Sequence, residues 1–264
     1  MPKFAANLSM MFNEIPFLER FAAAADAGFT GVEYLFPYEF PAELIAAELR
    51  ENALENVLFN LPPGDWALGE RGTTCLPGRE QEFRVGVATA IRYAKELNAT
   101  RLHAMAGIVP QGVSLADAKT TYVANLTFAA EELAKNGISL LIEAINTRDM
   151  PGFFLNTQAQ AYDILQEVDA TNLMLQMDLY HMQIMEGDLA VKLSKYAPQC
   201  GHVQVAGVPK RNEPDTGEVH YAFLYDHLDA IGYTGWIGCE YRPAGNTVDG
   251  LSWFNQLPDR TRQK

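Results

Sequence analysis

The sequence has few cysteines, no long apolar run and no cluster of basic residues, and each shortage removes a class of protein. Its three cysteines, Cys75, Cys200 and Cys239, are odd in number, far apart and in no Cys-x-x-Cys or Cys/His spacing. That argues against a disulfide framework and a zinc site, so reduced thiols are expected. The opening residues, MPKFAANLSMMF, reach Glu14 and a proline almost at once, so neither a signal peptide nor a membrane span is drawn there. A soluble, cytoplasmic protein without a membrane partner is the expectation. The net charge of −13 repels phosphate backbones and no run of Lys or Arg counters it, which disfavours nucleic-acid partners. No linker or low-complexity segment divides the chain, so one domain over residues 1–264 is expected.

What is present is alternation. Eight β-like segments, FAANLS (4–9), GVEYLF (31–36), NVLFNL (56–61), RLHAMAG (101–107), ISLLIEAIN (138–146), LMLQMDLYH (173–181), HVQVAG (202–207) and WIGCEYR (236–242), alternate with helix-like stretches. The first of those stretches, PFLERFAAAADAG, opens with Pro16 and closes at Gly28. Such alternation means parallel strands joined by crossover helices, and at about 33 residues per unit the chain holds the eight units of a (β/α)8 TIM barrel. An open doubly wound sheet is the rival, but no GxGxxG follows the first strand.

Loop lengths give the barrel a polarity. Turns entering strands are short: GFTG (28–31), NAT (98–100), KNG (135–137) and GYTG (232–235). Segments leaving strands are long and varied, among them residues 62–78, 147–156 and 208–220. Barrel active sites lie on that second face, at the C-terminal ends of the strands. The 62–78 loop, with Trp66 and Arg71 between glycines, is a lid candidate.

Strands buried on both faces read as nearly unbroken apolar runs, so a polar residue late in one needs a reason. Four consecutive strands carry one: Glu143, Asp178, Gln204 and Glu240. Singly, each has a plainer reading: Glu240 paired with Arg242, Asp178 capping the following turn, Gln204 satisfying a neighbouring backbone group. Jointly, three carboxylates and an amide oxygen describe a site for a hard divalent cation, Mg²⁺ or Mn²⁺. His181, three residues beyond Asp178, fits a metal ligand, a helix-cap neighbour or a substrate hydrogen-bond donor, and substrate contact is favoured. Arg211 and Glu213, in the loop after Gln204, are the expected substrate grip, with Glu213 orienting the guanidinium. His202 is expected in a supporting or packing role, and His103 and Glu33 near the barrel mouth.

The stretches LLIEAIN, QMDLYHMQIMEGD, GHVQVAGVPKRNEPDTGE and GYTGWIGCEYRP together resemble the hydroxypyruvate isomerase family of xylose-isomerase-like barrels, and the resemblance runs from FAANLSMMF to GCEYRP. It implies a divalent-metal site at Glu143, Asp178, Gln204 and Glu240, with Glu143 and Glu240 as the proton-transfer pair. It also implies a small oxo-acid or sugar-acid substrate: hydroxypyruvate converted to tartronate semialdehyde, or a four-carbon analogue related to 2-oxo-tetronate. Epimerisation of a ketose at carbon three and dehydration on the same site are the alternatives. A non-catalytic sugar-binding barrel is disfavoured by the intact acid/base pair, and an abasic-site endonuclease by the charge and a total of five histidines. Monomer and homo-oligomer both stay open.

Overall fold

Eight parallel strands close on themselves in chain order, β8 returning to pair with β1. They are β1 (Lys3–Asn7), β2 (Gly31–Tyr34), β3 (Glu55–Asn60), β4 (Arg101–His103), β5 (Ser139–Glu143), β6 (Leu173–Asp178), β7 (Cys200–Val205) and β8 (Trp236–Cys239). The structure, a computed structural model, describes residues 3–257. Between the strands run helices α1 (Arg20–Asp26), α2 (Ala42–Glu51), α3 (Glu80–Glu96), α4 (Leu115–Ala134), α5 (Gln158–Val168), α6 (Leu179–Met185), α7 (Leu189–Tyr196) and α8 (Tyr221–Ala230), with α9 (Ser252–Asn255) after β8. The TIM barrel expected from the alternation is the fold observed. No helix among the described residues is long and apolar enough to cross a membrane.

Local chemistry accounts for the helix starts that border the barrel mouth. Ser114 caps α4 by accepting from Asp117 N–H, and Thr157 caps α5 by accepting from Gln160 N–H. The expected strand 173–181 is too long. β6 stops at Asp178, whose carboxylate accepts from Tyr180 N–H at 2.8 Å, and the chain turns directly into α6. His181 therefore sits in the first turn of a helix, not on an extended segment.

Side-chain alternation divides the strands into two cores. Outward residues such as Phe4, Val32, Leu102, Ile142 and Ile237 pack beneath the helices in one large cluster. Inward residues Ala5, Val57, Leu58, Leu141 and Trp236 form a separate small cluster that fills the interior in the N-terminal half. Gly31 makes this plug fit, since a Cβ there would overlap the Trp236 ring. Above the plug the interior turns polar: Asn7, Glu33, Gln176, His202 and Gln204 are all buried.

Candidate active site

The polar residues expected at strand ends arrive at the C-terminal mouth. Glu143 and Asp178 are the last residues of β5 and β6, Gln204 is one short of the end of β7, and Glu240 follows β8. One oxygen each of Glu143, Asp178 and Glu240, and one His181 ring nitrogen, all lie within 4.8 Å of one another. Carboxylates this close repel unless a positive charge intervenes. Within the chain that charge is Arg211, whose Nη2 donates to Glu240 Oε2 at 2.6 Å and to Asp178 Oδ2 at 3.3 Å. Its Nε donates to the Glu240 carbonyl at 3.3 Å, and its guanidinium lies 4.9 Å from the centre of the Tyr180 ring. The pairing of Glu240 with Arg242 is not made. Arg211 takes that place from a left-handed backbone at φ 58°, a conformation that costs a non-glycine residue about 1 kcal/mol.

Burial dominates the protonation of the cluster. It pushes Glu143 well above the usual carboxylate range, with Glu240 and Asp178 adding to the rise. It raises Asp178 against the pull of Arg211, and it lifts Glu240 to about 8, again with Arg211 opposing. For Arg211 burial works downward, but Glu240, Asp178 and Glu143 outweigh it and keep the guanidinium charged.

His181 is neutral, and its tautomer follows from its neighbours. Burial, then Arg211 and Arg148, hold its pKa well below the usual value. Asp149 N–H donates to Asn146 Oδ1 at 2.7 Å, which fixes the Asn146 amide and turns Nδ2 toward His181 Nδ1 at 2.6 Å. Nδ1 therefore accepts, and the ring proton sits on Nε2. That Nε2 lies 3.6 Å from Glu143 Oε1 and 3.5 Å from Asp178 Oδ2, so a neutral N–H donor is aimed into the cluster.

Gln204 lies level with Asp178 in the sheet, and its amide is held on both sides. Its Oε1 accepts from Gln176 Nε2 at 2.7 Å and its Nε2 donates to Glu33 Oε1 at 2.7 Å. Gln176 Nε2 also donates to Glu143 Oε2 at 3.0 Å, so the positive end of an amide dipole stands between the oxygens of two expected metal ligands. Glu143 Oε1 is buried with no hydrogen-bond partner among the described residues. Crowded carboxylate oxygens, one of them unsatisfied, fit a hard divalent cation.

The matches to known proteins agree with this geometry. The xylose isomerase-like TIM barrel family matches residues 21–257. The chain belongs to that family. It is similar to the 2-oxo-tetronate isomerase of Cupriavidus necator, 54% identical over 96% of this chain and 98% of the relative. The hydroxypyruvate isomerase of Escherichia coli strain K12 is 48% identical over 97% of this chain and 99% of its own length. A solved structure described as AP endonuclease, family 2, from Brucella melitensis superposes with a TM-score of 0.96 at 52% identity, covering 98% of this chain and all of that one. Both curated relatives are isomerases, and this member of the family stands with them in that enzyme class.

In this xylose isomerase-like barrel the mouth opens into a cavity of about 570 Å³, to which Glu143, His181, Arg211 and Glu240 contribute. His103 lines it too, its Nδ1 3.2 Å from Asn60 Oδ1, with burial lowering its pKa to about 3. Trp66 reaches the lining from the loop after β3, whereas Arg71 stacks on Trp66 at 3.9 Å outside it. Glu213 lies outside the lining and away from the Arg211 guanidinium. Its carboxylate accepts from Ala244 N–H at 3.0 and 3.3 Å, tying the loop after β7 to the loop after β8.

Beneath the mouth, Glu33 accepts from Gln204 and from Asn7 Nδ2, and its other oxygen lies 2.7 Å from His202 Nε2. Gly238 leaves room for this carboxylate, since a Cβ there would overlap it. Asn7, Asn146 and Gln176 escape the sequence analysis. Gln176 carried a signal, because it lies two residues before Asp178 and so points the same way from its strand.

The raised carboxylates make stability depend on pH. In protein stripped of divalent cations, Glu240 folds with a pKa of about 8 against 4.5 unfolded, so between those values the folded state holds the extra proton. Stability is then fully present below 4.5 and is lost as pH rises through 8. Unfolded histidines titrate near 6.5, so the opposing slope of His103 and His181, which stay neutral in the fold, fades only about one unit higher. Calorimetry from pH 7.5 to 8.5 is expected to show unfolding free energy falling, by up to about 1 kcal/mol per unit for Glu240 alone. A flat or rising profile contradicts the raised carboxylates.

Proposed function

We propose that the chain interconverts the ketone and aldehyde forms of a small hydroxy-oxo acid, hydroxypyruvate and tartronate semialdehyde or a four-carbon 2-oxo-tetronate analogue. The observation that carries this reading is the convergence of three buried carboxylates on a neutral His181 N–H donor at the cavity floor. The names of the two curated relatives support the substrate class.

Glu143, Asp178, Gln204 and Glu240 would hold a divalent cation, Mg²⁺ or Mn²⁺, which supplies Lewis-acid polarisation of the substrate carbonyl. The remaining work falls to side chains. One carboxylate of the pair Glu143 and Glu240 removes a proton from the hydroxylated carbon, and the C–H electrons form a double bond to the carbonyl carbon. Returning a proton to that second carbon, while the proton of the neighbouring hydroxyl passes to the former carbonyl oxygen and that hydroxyl becomes the new carbonyl, completes the exchange. Glu143 and Glu240 are three strands apart in a ring of eight, roughly 135° around the barrel, and so address different sides of a bound molecule. His181 Nε2–H donates to the substrate oxygen that gains charge. Arg211 holds Glu240 in place and keeps part of the cluster's charge compensated.

The endonuclease description of the Brucella structure is not adopted. A chain of charge −13 with its acidic groups at the floor of a cavity suits a small molecule better than a phosphate backbone. The test is proton exchange in D₂O, followed by NMR, with hydroxypyruvate, a four-carbon 2-oxo acid and a free ketose, each with Mg²⁺ or Mn²⁺ supplied. Deuterium is expected to enter the hydroxylated carbon of an acid at least about tenfold faster than the ketose. Exchange into the ketose alone rejects this reading in favour of an epimerase.

A further inference from the structure

Two arginines, Arg211 and Arg242, line the cavity, and their guanidinium groups are held in opposite ways. Arg211 is bonded to Glu240 and Asp178, so a substrate carboxylate would compete with two buried acids for its donors. Arg242 has a pinned backbone and a free side chain. Its N–H donates to the Arg211 carbonyl at 2.8 Å, and its own carbonyl accepts from Asn212 Nδ2 at 2.7 Å. Its guanidinium makes no hydrogen bond or ion pair with any described residue, and the residue is exposed.

The strand alternation continues past β8 and directs this side chain. Glu240 and Arg242 face the cavity, while Tyr241 between them is buried and accepts from Trp253 Nε1 at 3.3 Å. Two residues of extended chain advance about 7 Å, which sets Arg242 one layer above Glu240. Nearby cations are engaged elsewhere. Arg148 Nη2 donates to Tyr180 OH at 2.9 Å and the Pro209 carbonyl at 3.1 Å, and Arg71 Nη1 to the Glu70 carbonyl at 2.7 Å.

We propose that Arg242, in place of the expected Arg211, binds the substrate carboxylate and so selects acids over neutral sugars of the same length. The inference rests on the small-oxo-acid reading above. A guanidinium held by its backbone and unpartnered at its head offers the paired donors that a carboxylate takes, without first breaking an internal ion pair.

The test compares wild type, Arg242→Gln and Arg242→Lys in Mg²⁺-supplied enzyme. Calorimetry measures binding of glycerate and glycerol, which share a skeleton and differ in charge, and kinetics give kcat and KM for hydroxypyruvate. Wild type is expected to bind glycerate at least about tenfold more tightly than glycerol. Arg242→Gln is expected to weaken glycerate binding and raise the hydroxypyruvate KM by about 10- to 100-fold, with kcat changed by less than about threefold. Glycerol binding stays as it was, and Arg242→Lys recovers part of the loss. If Arg242→Gln keeps the preference for glycerate, the assignment of Arg242 is overturned and the oxo-acid reading stands. If wild type itself shows no preference, both are overturned.

Discussion

Removal of divalent cations by a chelator is expected to lower turnover by about 10³-fold or more, and added Mg²⁺ or Mn²⁺ to restore it. The reason lies in the charge of the cluster. Glu143, Asp178 and Glu240 are buried together, and Arg211 supplies one positive charge against three carboxyl groups. Burial raises all three pKa values, so the chain alone relieves the repulsion by holding protons. A carboxyl that holds a proton cannot accept one, so the groups proposed as bases are disarmed. A divalent cation bound at the proposed site would displace those protons, and ligand linkage should raise Tm on its addition. Undiminished turnover in a preparation shown by elemental analysis to be metal-free would remove the cation from the mechanism.

Replacing Glu240 by glutamine is expected to cost about 10²- to 10⁴-fold in kcat while leaving the fold intact. The amide keeps the shape of the carboxylate and replaces a group that already holds a proton in metal-free protein near neutral pH, so Tm there should change little. Arg211 retains Asp178 as a partner. Isotope exchange sharpens the assignment. If Glu143 takes the proton and Glu240 delivers it, Glu240→Gln still exchanges deuterium into hydroxypyruvate but yields little aldehyde. If Glu240 takes the proton, both signals vanish together. A kcat equal to wild type excludes Glu240 from proton transfer altogether.

Much of this site is legible along the chain because its carriers obey local rules. Glu143, Asp178 and Glu240 interrupt apolar strands at equivalent places, and parallel strands in a closed barrel bring equivalent places together. The capping role of Asp178 is equally local, since its acceptor serves a residue two positions away. Glu213 shows where such reasoning stops. Its position beside Arg211 suggested a shared task, yet its carboxylate reaches Ala244, 31 residues on, and holds two loops together.

By itself the sequence determined the barrel, its polarity and the acidic strand ends, because period, loop length and strand position are properties of neighbouring residues. Tertiary structure alone decided which groups are free. The His181 tautomer depends on Asn146, 35 residues away, and the orientation of Gln204 on Glu33, 171 residues away. Arg211 and Arg242 look alike as sequence, two arginines just past two strands. Only packing gives the first to the buried acids and leaves the second unpartnered at the cavity wall, because an ion pair is set by distance in space and not along the chain.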